Sequence, residues 1–292
     1  MLLAVPNFSE GRDERRIESI STAFATGAAL LDTHSDSIHN RTVLTLSGPP
    51  GSLAAALAHG ARACVEAIDM SRQEGAHPAI GALDVCPIVW LREDEREAAR
   101  EEALATAREI ASEAGVPVFL YGELAVHQSH RERAFFRAGG PVELMRRVEG
   151  GELRPDFGPA ELHPAAGATL VTARPPLAAF NVELAGADLA VARDIASGLR
   201  EAGGGLEGVR AIGIDLGKGR TQVSTNVHDP ATVPLATVAV RIRELAAPHG
   251  ARPVGAEIVG LIPERALDGW PDALPIAGFD PAKHLIERRV RV

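Results

Sequence analysis

Two cysteines, Cys64 and Cys86, among 292 residues exclude a disulfide-built scaffold. Two free thiols fit a reducing cytoplasm. Lysine is nearly missing as well: Lys218 and Lys283 stand beside 28 arginines, so arginine is almost the only anion-binding side chain available. Positive charge is in deficit overall. A net charge of −9 speaks against nucleic acid as the main partner. The longest uncharged run, Thr42 to Ala61, is interrupted by Gly48-Pro49-Pro50-Gly51, so no membrane span is expected. The apolar stretch Met1 to Val5 is too short for a secretory leader. There is no G-x-S-x-G elbow and no paired C-x-x-C. Gly213 to Arg220 fails as a P-loop, because Gly219 follows Lys218 where Ser or Thr is needed; a hairpin turn is expected instead.

What remains is ordinary globular composition, 46% apolar and 24% charged, enough for one large or two modest domains. Hydrophobic periodicity gives the order of elements. Leu2 to Val5 reads as a strand. Asp13 is a helix N-cap, followed by Ile17, Ile20 and Phe24 at helical spacing. Strands are expected at 28–32 and 42–46, a helix over 53–68, a strand at 83–91, a helix at 93–114 and a strand at 116–121. Residues 123–150 read as helical with a break at Gly139-Gly140-Pro141, and 154–167 as loop. The pattern then restarts: strand 178–184, helix 187–200, strands 209–215 and 222–226, helix 233–247, strand 253–259. That order is the ferredoxin-like, split βαβ arrangement, and the first half opens the same way. The expected fold is α/β (α+β) with two split-βαβ subdomains of mixed sheet. They would span 1–174 and 175–292, with the boundary at Arg174-Pro175-Pro176.

Several polar constellations interrupt this scaffold. Asn7 lies in Val5-Pro6-Asn7-Phe8-Ser9-Glu10-Gly11, between a strand end and a helix start, where free amide groups gather. The stretch Asp32 to Arg41 packs His34, Asp36, His39 and Arg41 between two strands. Its spacing matches no recognised zinc pattern, so no metal is expected, and Arg41 is a candidate carboxylate clamp. His77 precedes Pro78, which holds it out of the helical region. With Asp84 at the next strand it suits acid–base work near neutrality, although a structural, turn-capping histidine explains the pair equally. The stiff loop from Arg154 to Gly167 is either functional or a linker.

Taken together, these segments resemble the glutamate formimidoyltransferase family. The resemblance rests on Val5–Gly11, Asn40-Arg41-Thr42, Ile68-Asp69-Met70, His77-Pro78 with Gly81–Pro87, Tyr121-Gly122-Glu123, Pro155–Pro159, Ala179-Phe180-Asn181 and Gln222–Asn226. It implies an enzyme of histidine breakdown that moves a formimino group from N-formimino-L-glutamate to N5 of tetrahydrofolate, the co-substrate. It also implies two subdomains with facing sheets and outer helices, a cytoplasmic homodimer, and a separate cyclodeaminase to take the product. By the same resemblance His77 occupies the catalytic position. The loop Gly158-Pro159-Ala160-Glu161-Leu162-His163-Pro164-Ala165-Ala166-Gly167 occupies that of the folate-binding loop. Asp36 and Asp84 are candidates to hold the amidinium, and Arg41 and Asn7 to bind substrate.

Three positions depart from the family pattern. Ala76 and Ala79 stand where Glu and Arg are common, and Ala166 where an aromatic often precedes the glycine. Alanine cannot stack on a pterin or benzoyl ring. The departures predict weaker folate binding or a different substrate. They motivate two alternatives: a folate-independent hydrolase of a small amide or amidine, and a non-catalytic folate- or acidic-metabolite-binding paralogue.

Overall fold

The Asp13 carboxylate accepts hydrogen bonds from the backbone N–H groups of Arg15 and Arg16 and starts helix α1 (Glu14–Phe24), as the cap signal requires. From there the computed structural model describes Met1 to Val290. The chain divides into two units, Met1–Pro175 and Pro176 onward.

The first unit carries one mixed sheet. Strands β1 (Leu2–Ala4) and β2 (Asn7–Phe8) run in line, interrupted at Val5-Pro6. Both lie between β4 (Arg41–Gly48) and β5 (Leu83–Trp90), antiparallel to each. Strand β3 (Ala29–Asp36) pairs with β4 at the edge. This is the split-βαβ order, closed by α1 and α2 (Ala54–Ala67). Helix α3 (Arg96–Glu113) then leads to β6 (Val118–Leu120), and α4 (Arg133–Arg137) and α5 (Gly140–Glu149) follow. The sheet is completed by β7 (Thr169–Arg174), parallel to both β5 and β6 and between them. Sequence periodicity begins the second half after Thr169 and does not see this strand. Its residues up to Ala173 are buried, and a strand buried on both faces shows no alternation.

One face of this sheet packs Phe8, Phe24, Leu46, Leu57, Cys86 and Ile110 with α1–α3. Val85, Phe119, Tyr121 and Leu170 pack with Phe136 of α4 and Leu144 of α5. The polar residues of interest belong with this second set. Helix α2 has no side-chain cap of its own. Instead Glu102 of α3, buried, accepts from the N–H groups of Leu53 and Ala54 at 2.8 Å and from Gly51.

The second unit is a four-stranded antiparallel sheet in the order β11-β8-β10-β9. Its strands are β8 (Ala178–Ala185), β9 (Val209–Gly217), β10 (Arg220–Val227) and β11 (Arg252–Ile258). Helices α6 (Leu189–Leu199) and α7 (Leu235–Ala246) bury Phe180, Val182, Val223 and Val238. The sheet's polar residues include Asn181, whose Nδ2 donates to Glu257 Oε2 at 3.0 Å. The Gly213–Arg220 segment is the β9–β10 hairpin, turning through Lys218 with φ +54°. Among the described residues no helix is long and apolar enough to cross a membrane.

Candidate functional site

A β-bulge creates the centre of the site. Asn7 pairs with Val85, but the next residue, Phe8, pairs with Leu83, so Asp84 opposes no residue of β2. Bulges re-aim a side chain out of the strand alternation. Asp84 is fully buried. Its Oδ1 accepts from Ile80 N–H at 2.9 Å, and its Oδ2 accepts from Arg41 Nη1 at 2.7 Å and from Arg137 Nη2. Burial opposes its ionisation, but the guanidiniums of Arg137 and Arg41 outweigh it and hold the carboxyl below the usual range.

Arg41 opens β4 and is itself buried. Its Nε and Nη2 both donate to Asn7 Oδ1, at 3.1 and 2.8 Å, and Asn7 Nδ2 donates to Val5 O at 2.8 Å. The sequence candidates Asn7, Arg41 and Asp84 are therefore one hydrogen-bonded set. Arg137, at the end of α4, belongs to it and carries no sequence motif. The only signal available is its four-residue spacing from Arg133, one helical turn.

His77 is carried by a loop clamped against the β3–β4 turn. Asp36 Oδ1 caps that turn, accepting from Ile38 N–H and His39 N–H at 2.7 and 2.8 Å. Asn40, with φ +47°, accepts from Gly11 N–H and donates to Gln73 Oε1 and Glu74 O. Gln73 Nε2 returns a bond to Asn40 O at 2.8 Å, and Ala76 N–H donates to Ile38 O at 3.0 Å. A Cβ on Gly75 would lie 2.3 Å from His39 O, so only glycine permits this approach. The result sets the His39 and His77 rings 6.0 Å apart. Asp36 Oδ2 lies 3.9 Å from His39 Nδ1.

His77 Nδ1 is 2.9 Å from Pro78 O. A carbonyl oxygen only accepts, so Nδ1 carries the proton and Nε2 has the free lone pair. The half-buried ring titrates well below the ordinary histidine range. Burial is the first cause and the charges of Arg41 and Arg137 add to it, while Asp84 opposes them. The ring is thus a neutral base at physiological pH. Asp84 makes no hydrogen bond to His77; it acts on the imidazole through its charge and through the two arginines it holds.

The loop of residues 158–167 is hydrogen-bonded to the segments that precede and follow the His77 loop. Met70 N–H donates to Ala165 O, Ala82 N–H to Ala166 O and Ala168 N–H to Ile80 O, at 2.7–3.0 Å. His163 Nδ1 accepts from the N–H groups of Ala165 and Ala166 at 3.2 and 2.9 Å. Glycine is obligatory at both sides of the seam: a Cβ on Gly81 would meet Ala168 O at 2.0 Å, and one on Gly167 would meet Ile80 O at 2.1 Å. Gly158 and Gly167 bound the loop with φ +86° and +68°. Pro159, Ala160, Glu161 and Pro164 are exposed on its rim, with Leu162 half-buried. Ala166 points into the main core and is 1% exposed. Its missing aromatic is therefore absent from the core, not from an exposed surface of the loop. His34 sits half-buried on β3, and no group of three His, Cys, Asp or Glu side chains suited to a metal occurs among the described residues.

This geometry can be set beside known proteins. Residues 1–174 match the family model described as formiminotransferase domain, N-terminal subdomain, and residues 179–269 that described as formiminotransferase domain. The chain belongs to the formiminotransferase family. Members of this family are transferases. A glutamate formimidoyltransferase of Streptococcus pyogenes serotype M1 is 35% identical over 290 residues, covering 98% of this chain and 97% of that one. One of Thermoplasma acidophilum is 35% identical over 292 residues, covering 98% and 96%. The formimidoyltransferase-cyclodeaminase of Sus scrofa is 40% identical over 272 residues; the alignment covers 90% of this chain but only 50% of that longer protein.

Proposed function

We propose that this chain transfers the formimino group of N-formimino-L-glutamate to N5 of tetrahydrofolate, with His77 as the acid–base group. The observation that carries the reading is the state of His77. Its Nδ1 proton is engaged by Pro78 O, and burial beside Arg41 and Arg137 keeps the ring neutral, leaving Nε2 as a base. The folate N5 attacks the formimino carbon, and its proton passes to His77 Nε2. The tetrahedral adduct then expels the glutamate nitrogen, which takes that proton as its carbon–nitrogen bond breaks. One imidazole serves both transfers and ends as it began.

Asp84 and Asn7 position Arg41 and Arg137 around the ring. Asp36 keeps Oδ2 for the cationic amidinium, beside His39. The loop from Gly158 to Gly167 holds the folate, through its exposed rim and backbone. The reading includes a cytoplasmic homodimer whose product passes to a cyclodeaminase. Family membership and the names of the near full-length relatives support the substrate class. The core position of Ala166 removes one of the departures that favoured a water-using hydrolase. The test is glutamate release from formiminoglutamate with and without tetrahydrofolate. Release that requires stoichiometric folate supports the transferase; equal release without folate overturns it.

A further inference from the structure

Arg133, Arg137 and Arg174 gather on the sheet face that α4 and α5 cover. Arg133 and Arg137 lie one turn apart on α4. Arg174 ends β7, at even spacing from Leu170, which packs on that face with Tyr121 and Phe136. Tyr121, the chain's single tyrosine, follows the adjacent strand β6. With Arg41, four guanidiniums share this region with two acids: Asp84, which pairs with Arg41 and Arg137, and Glu132, whose charge acts on Arg133. Among the described residues neither Arg133 nor Arg174 has a carboxylate within ion-pair distance, unlike Arg41 and Arg137 beside them.

The hydrogen bonding is incomplete in the same place. The Nε atoms of Arg137 and Arg174 are buried without a partner, and the one bond found for the Arg174 guanidinium runs from Nη1 to Pro175 O at 2.9 Å. Buried unpartnered donors are costly and uncommon. Burial lowers the pKa of Arg133, and lowers that of Arg174 to about 10; for Arg174 the charge of Arg133 adds to burial and Tyr121 opposes. An anion placed here would relieve both the repulsion and the missing bonds, since Nε with an adjacent Nη forms the fork that accepts a carboxylate side-on.

We propose that Arg133, Arg174 and Tyr121 form a carboxylate-binding site, set apart from His77 along the face of the first sheet. The two arginines bind the carboxylate and the Tyr121 hydroxyl donates to it. Assigning the ligand as a glutamate carboxylate of the formimino donor rests on the function proposed above; the binding site itself does not.

The experiment uses the full-length protein and glutarate, a dicarboxylate with no group to transfer. Calorimetry is run on the wild type, Arg133→Gln, Arg174→Gln and Arg62→Gln, the last an exposed arginine of α2 far in sequence from the cluster. Melting curves establish that each variant is folded. The expected result is saturable glutarate binding, weakened about tenfold or more in Arg133→Gln and Arg174→Gln and unchanged in Arg62→Gln. Absent binding, or binding within twofold in all four proteins, overturns the site. Formimino transfer is then assayed. A raised KM for formiminoglutamate with kcat retained supports the ligand assignment; an unchanged KM overturns that assignment. Arginine-dependent glutarate binding in a protein that transfers nothing overturns the proposed function and upholds the site.

Discussion

Arg41 and Asp84, 43 positions apart in sequence, meet as a buried pair with Nη1 2.7 Å from Oδ2. The pair depends on two local irregularities. The bulge opposite β2 turns Asp84 out of the strand alternation, and the left-handed Asn40 redirects the chain just before Arg41. Replacing Asp84 by Asn removes the only acid between two guanidiniums. Destabilisation of about 3–5 kcal/mol is expected, measured by urea unfolding. Because folding lowers the Asp84 pKa, its contribution is complete above the ordinary carboxylate range and fades as pH falls through and below it. The Asp84→Asn penalty should therefore shrink in strong acid.

The pH profile of kcat/KM reports on His77. Its pKa is depressed, so the neutral base is fully populated at neutral pH and is lost only as pH falls through a value below about 6.5. The acid limb of the profile should lie there. Arg137→Gln deletes a positive neighbour and should move the limb toward neutrality. Asp84→Asn deletes a negative one and should move it further into acid. Shifts of the same sign in both variants would contradict the electrostatic account.

Much of this site could be read in the sequence, for physical reasons that differ by residue. Pro78 restricts its neighbour, so His77 announces an extended loop. Asn7, Arg41 and Asp84 stand at strand ends, where polar residues break an apolar period. Arg137 could not be read, because an arginine on a short helix has the same local pattern whether it faces solvent or a buried aspartate. Strand β7 was hidden because complete burial erases alternation. The likeness of the two halves was visible as element order alone, and the strand orders bear it out. Ala166 shows the opposite limit: a missing aromatic reads as a lost ligand contact until the side chain is seen in the core.

Ala166→Phe follows from that position. Restoring an aromatic at a 1% exposed site overfills the core and should cost about 1–3 kcal/mol. It should not tighten folate binding in calorimetry. Tighter binding with undiminished stability would place the side chain at the ligand.

Gly167→Ala tests the seam between this loop end and the segment that follows His77. The new Cβ would lie 2.1 Å from Ile80 O, at φ +68°. The loop of residues 158–167 must shift, so kcat/KM should fall by about tenfold or more while the far-UV circular dichroism is retained.

Glu102→Gln separates stability from catalysis. The change removes the charge that accepts three N–H groups at the start of α2. A loss of about 1–3 kcal/mol is expected in thermal unfolding, with KM and kcat at 25 °C unchanged.

The most direct measurement is single-turnover formimino transfer to tetrahydrofolate by the wild type and by His77→Gln, with melting curves taken alongside. Glutamine fills the space but has no nitrogen lone pair to take a proton. The account predicts folate-dependent transfer in the wild type and a loss of about 10²–10⁴-fold in the variant at an unchanged melting temperature. Transfer by His77→Gln at the wild-type rate would contradict it.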